Sequence, residues 1–163
     1  MIPVRSLRRL IQEDHYPDEF RCLVCCILLN RCRGVTVRRV LDSLFEAYPD
    51  AAAMADADHA TLAALLHPLG FQRQRASRLK AFSKGYLGGF HDVAELHGIG
   101  DYASDFWRMF FLERLGDVPP DDGPLTEYWG IAKGGLWPTV GWDLDPAVER
   151  RRLLFDASQK PKA

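Results

Sequence analysis

Residues 95–107, ELHGIGDYASDFW, break a helical pattern with two glycines two positions apart and then resume it at once. The stretch reads as a short helix ending at Leu96, a turn His97-Gly98-Ile99-Gly100, and a new helix starting near Asp101. Glycine tolerates the positive φ of a tight turn and lets another backbone come close, and the free N–H groups at a helix start attract anions. Such a turn can hold a phosphate through main-chain N–H groups while Ile99 pins the hairpin to the core. A lone GxG between helices is usually a cap, so the residues around it must decide.

Outward from the turn, the 163 residues are 47% hydrophobic and 26% charged, the balance of one globular domain with a real core. Helical periodicity predicts an all-α fold, with helices near 5–14, 18–32, 36–48, 58–67, 72–87, 92–96, 101–115, 123–133 and 146–157. Breakers separate them: Gly34, YPD at 48–50, HPLG at 67–70 and GDVPPDDGP at 116–124. Residues 134–145, GGLWPTVGWDLD, have no period and are expected to form a loop anchored by Trp137 and Trp142. No apolar run suits a bilayer and the N-terminus lacks the pattern of a signal peptide, so no membrane partner and an intracellular setting are expected, cytoplasm and nucleoid or nucleus.

The net charge is −1, without the basic surplus of many nucleic-acid binders. Two basic stripes nevertheless stand out, Arg31, Arg33, Arg38 and Arg39, then Arg73, Arg75, Arg78, Lys80 and Lys84; each could follow a phosphate backbone or form a solvated helix face. All four cysteines, Cys22, Cys25, Cys26 and Cys32, fall in RCLVCCILLNRC among Leu, Val and Ile. A buried helix explains them better than a metal site, which draws its ligands from separate segments.

The span VAELHGIGDYASDFWRMF, followed by VPPDD, resembles the helix-hairpin-helix (HhH-GPD) DNA glycosylase superfamily. LIQE at 10–13, ILLNRCRG at 27–34, LLHPLG at 65–70, ELHGIGDY at 95–102 and VPPDDGPLTEYW at 118–129 are similar, in order and spacing, to mismatch-specific thymine/uracil glycosylase domains of the methyl-CpG-binding repair type. The resemblance implies two helical lobes, about 1–34 plus 116–163 and about 35–115, with the active-site cleft between them. It also implies a monomer acting on double-stranded DNA in base excision repair. The reaction would be hydrolysis of the N-glycosidic bond of thymine, uracil or 5-substituted uracil mispaired with guanine.

Residue roles follow from the same resemblance. Asp122 would stabilise the oxocarbenium-like transition state and orient water, although before GPLTEYW it also reads as a plain N-cap; Asp121 is its neighbour and less well spaced. Tyr102 stands where bifunctional members carry a Schiff-base lysine, implying no covalent imine and no strand cleavage, and it would line the base pocket with Gln12. Arg31 would enter the space vacated by the flipped base, Leu69 and Phe71 would wedge the opposite strand, and His97, Gly98, Ile99 and Gly100 would grip the backbone. No metal site and no cofactor are expected beyond a monovalent cation at the hairpin; the four-cysteine iron–sulfur loop of the endonuclease III branch has no counterpart in these residues. Gly123 and Pro124 depart from the histidine and lysine of the relatives, which keeps two rivals open: a phage-type enzyme modifying 5-substituted pyrimidines, and a non-catalytic module binding distorted DNA.

Overall fold

A computed structural model describes residues 10–136 and 146–158. The elements are α1 (Glu19–Leu29), α2 (Gly34–Ala47), α3 (Ala51–Ala55), α4 (His59–Leu65), α5 (Gln72–Gly88), α6 (Asp101–Phe110), α7 (Gly123–Ile131) and α8 (Pro146–Ser158). Short 3₁₀ turns stand at Ile11–Asp14, His67–Leu69 and Val93–Glu95, and a π turn, Ala132–Leu136, continues α7. Among the described residues there is no strand, and no helix is long and apolar enough to cross a membrane.

Helix α1 is the axis of the fold. Asp18 caps it by accepting the Arg21 N–H at 2.9 Å, and Cys22 to Leu28 are all buried, so the helix is apolar on every side and neighbours surround it. It packs against α2, α5, α6 and the turn at Ile11–Asp14, while α5 carries α3 and α4 on its other side. Cys22, Cys25 and Cys26 are therefore core residues, as expected, whereas Cys32 lies past the helix end and is half-buried.

Several predicted boundaries move for identifiable reasons. The helix expected over 18–32 stops at Leu29 because Arg31 adopts a left-handed φ of 57°. The helix expected over 101–115 stops at Phe110: Glu113 turns left-handed at φ 53° and the Arg114 N–H closes back on the Arg108 carbonyl at 2.9 Å, a cap that usually signals itself by glycine. The short helix expected over 92–96 is one 3₁₀ turn held by an Asp92–Glu95 capping box. Helix α3 was unexpected, since AAAMA has no polar face to set a period; Asp50 caps it through the Ala53 N–H at 2.8 Å. Part of the loop expected over 134–145 is the π turn, and Trp137 and Trp142 lie outside the described residues.

The C-terminal α8 docks through a buried carboxylate. Glu19, 3% exposed, accepts from Tyr86 Oη at 2.8 Å and Trp107 Nε1 at 2.9 Å and is ion-paired with Arg151. The Arg151 guanidinium also lies over the Phe90 ring at 4.6 Å.

Candidate active site

Four chain segments converge on one cavity of about 650 Å³, lined among others by Gln12, Arg31, Gly98, Gly100, Tyr102 and Asp122. The 3₁₀ turn at Ile11–Asp14 supplies Gln12, the loop after α1 supplies Arg31, the hairpin and first turn of α6 supply Gly98, Gly100 and Tyr102, and the N-cap of α7 supplies Asp122. A larger cavity of about 1090 Å³ lies between α6, α7 and α8 and shares only Asp101, Asp105 and Asp121 with it. Size does not decide between them: Gln12, Tyr102 and Asp122 meet only in the smaller one.

Asp122 is the N-cap of α7, as expected, with Oδ1 accepting the Leu125 N–H at 3.0 Å and Pro124 in the first turn. The cap orients the carboxylate without consuming it, because one oxygen suffices for capping. Cap and chemistry are therefore not alternatives here. Asp121 lines the cavity too but is exposed and is not the cap.

Gln12 is completely buried, and its amide Nε2 donates to Tyr102 Oη at 2.8 Å and to Cys26 Sγ at 3.2 Å. Its Oε1 is buried with no partner among the described residues, an omission that costs about 1–3 kcal/mol unless a ligand satisfies it. Burial pushes the Tyr102 phenol well above its ordinary range, the neighbouring Cys26 thiol and Asp122 carboxylate act in the same direction, and the Gln12 hydrogen bond opposes them. The Cys26 thiol is pushed up to about 12, mainly by burial, so it stays neutral. Cys26, a pocket residue the sequence did not single out, is hidden among the other apolar positions of α1.

The hairpin divides its labour unevenly between the glycines. Gly98 has φ 85°, and a Cβ there would come within 2.6 Å of Arg78 Cγ. Gly100 is extended at φ −108°, with open space where a Cβ would stand, so of the two glycines Gly98 alone uses a positive φ. No side chain caps α6, so the N–H groups of its first turn remain available to an anion. Ile99 packs partly against the core, and His97 is exposed on the turn.

Arg31 and Phe71 meet on a second cleft of about 350 Å³ that adjoins the first through Asn30 and Arg31. Phe71 is 69% exposed at a left-handed φ of 47°, so an aromatic ring stands out from the surface on a fixed stem. Leu69, expected beside it, is 7% exposed and packs in the core, so of this pair Phe71 alone is presented. Arg75 leaves the basic stripe as well: it is 6% exposed and bonded internally.

Residues 24–149 match the HhH-GPD superfamily of base excision DNA repair proteins. The chain belongs to this superfamily. The methyl-CpG-binding domain protein 4-like protein of Arabidopsis thaliana is 36% identical over 129 residues, covering 78% of this chain and 29% of that protein. The thymine/uracil-DNA glycosylase of Pyrobaculum aerophilum is 33% identical over 98 residues, 53% of this chain and 41% of that protein. The chain thus spans well under half the length of these HhH-GPD relatives. A thermostable thymine-DNA glycosylase superposes with a TM-score of 0.58 at 18% identity, over 91% of this chain and 71% of the other, so it shares the HhH-GPD fold.

Proposed function

We propose that the chain is a monofunctional DNA glycosylase that hydrolyses the N-glycosidic bond of thymine, uracil or a 5-substituted uracil opposite guanine. The observation that carries this reading is the Gln12–Tyr102 pair. Because Tyr102 Oη accepts from the Gln12 amide, its own proton is free to donate, and Gln12 Oε1 is an acceptor without a partner. A donor beside an acceptor complements the carbonyl and N3–H edge of thymine or uracil. Cytosine has an acceptor at N3, so in the pose that sets N3–H of thymine or uracil against Gln12 Oε1 it leaves Oε1 unsatisfied, and its N4 amine meets Oε1 only in a shifted pose. The names of the relatives point the same way.

In this reading the target base is rotated out of the stack into the 650 Å³ cavity and Arg31 fills its place, while Phe71 parts the opposite strand. Hydrolysis builds positive charge at C1′ as the base departs, and the fixed Asp122 carboxylate stabilises that charge and orients the water. Tyr102 offers no amine at the hairpin helix, so no imine forms and the product is an intact abasic strand. The Leu96 and Gly100 carbonyls of the hairpin each accept one backbone N–H and keep a lone pair that suits a monovalent cation. A monomer suffices for all of this. The cavity is lined by 10–34 and 121–124, from one proposed lobe, and by 98–105, from the other, which supports the two-lobe division.

The test is incubation with end-labelled duplexes carrying G:T, G:U, G:5-hydroxymethyluracil, G:C and A:T, with and without alkali. Strand breaks at the mismatched pyrimidine that appear only after alkali are expected. Breakage without alkali would show a lyase, and no base release from any duplex would move the reading to base modification or binding.

A further inference from the structure

Arg75 is a buried guanidinium whose partners are carbonyls and a thiol rather than a carboxylate. Its Nε donates to the Gly70 carbonyl at 2.9 Å, Nη1 to the Leu28 carbonyl at 3.3 Å, and Nη2 to the Asn30 carbonyl at 3.1 Å and to Cys32 Sγ at 3.1 Å. The Asn30 carbonyl belongs to the peptide that enters Arg31, and the Gly70 carbonyl to the peptide that enters Phe71. One planar fork therefore holds the peptide immediately before each of two left-handed, non-glycine residues. Such conformations are strained and persist only where their surroundings over-determine them. The charge also faces the last carbonyls of α1, where a cation is favoured. Cys32 adds a second tie between the same loops, its thiol donating to the Leu69 carbonyl at 3.4 Å.

We infer that Arg75 is a positioning residue that fixes the spacing of Arg31 and Phe71, so that both enter the duplex together and the target nucleotide is extruded. The inference rests on the roles given to Arg31 and Phe71 above, and it concerns extrusion, a step before bond cleavage. Arg75 touches neither the base nor the sugar; it acts through the two loops. A lysine at 75 keeps the charge but cannot fork between loops.

The test is a cycle of four proteins: wild type, Arg75→Lys, Phe71→Ala and the double variant. Each is mixed with a G:T duplex carrying 2-aminopurine beside the target thymine, whose fluorescence rises on extrusion. In the Phe71-containing protein, Arg75→Lys should slow the rise by about tenfold to a hundredfold, the scale of a 1 Å misplacement. In the Phe71→Ala background the same change should cost less than about twofold, because the coupled partner is gone. Arg151→Lys, far from both loops, serves as a control for lost stability. Equal losses in the two backgrounds would overturn the inference, as would an equal loss from Arg151→Lys at matched thermal stability. A wild type that extrudes the nucleotide but frees no base would defeat the glycosylase reading and leave the cycle to decide on Arg75. A wild type giving no rise with any duplex would overturn the inference outright.

Discussion

The side-chain amide of Gln12 donates to the hydroxyl of Tyr102 at 2.8 Å, joining the turn before α1 to the first turn of α6 across ninety positions of sequence. The bond fixes which way each group points its remaining hydrogen-bonding capacity. Gln12→Leu removes the acceptor, and single-turnover base release from G:T and G:U should fall about tenfold to a hundredfold. Tyr102→Phe removes the donor and one of the two acceptors of the Gln12 amide, but it leaves Oε1 in place and the Cys26 Sγ contact intact, and should cost less. Unchanged rates and unchanged rejection of cytosine in Gln12→Leu would contradict the pairing argument.

The two hairpin glycines should separate stability from DNA binding. Gly98→Ala must strain a φ of 85° and displace Arg78, a loss of about 1–2 kcal/mol in urea unfolding. Gly100→Ala meets no such obstacle and should leave stability within about 0.5 kcal/mol of wild type, while lowering affinity for duplex because a phosphate must approach that backbone. Gel-shift titration alongside urea melts checks both.

The Glu19–Arg151 pair should govern the docking of α8. Removing the guanidinium in Arg151→Ala leaves a carboxylate almost fully buried, and breaking such a pair typically costs about 3–5 kcal/mol. Glu19→Gln with Arg151→Met, which removes both charges, should recover much of that loss. A single-variant loss below 1 kcal/mol, roughly the worth of a surface pair, would show that the pair is solvated in solution.

Burial lowers the His15 pKa below 6.5; the charge of Arg21 adds to this, and Asp14, Asp18 and Asp42 oppose it. Between the lowered folded value and 6.5 the unfolded chain binds more protons, so stability rises with pH there and is lost as pH falls. The slope cannot exceed one proton, about 1.4 kcal/mol per pH unit. Replacing His15 by Phe, beside the Phe45 ring it meets edge-on at 5.0 Å, should remove that part of the acid limb; an unaltered limb would show that other groups set it.

Much of this site was legible in the sequence because it rests on local signals. Asp122 before Gly-Pro announces an N-cap, and HGIGDY announces a break followed by a helix start; both are where the sequence places them. What was not legible depends on contacts between distant segments. Arg75 sits in a run of basic residues and nothing nearby in sequence reveals that it bonds the carbonyls of residues 28 and 30. Leu69 and Phe71 look equally apolar in HPLGF, and only the left-handed backbone at 71 decides which is presented. Cys26 reads as core and is core, yet one edge of it also forms a wall of the cavity.

The most direct test of the central claim is single-turnover base release by Asp122→Asn. Asparagine caps a helix as well as aspartate does, so α7 keeps its start and only the charge is removed. Base release from G:T duplex should fall by about a hundredfold to a thousandfold or more, with duplex affinity and thermal stability unchanged. Release within tenfold of wild type, with Asp121→Asn abolishing it instead, would place the chemistry on the wrong carboxylate and contradict the account.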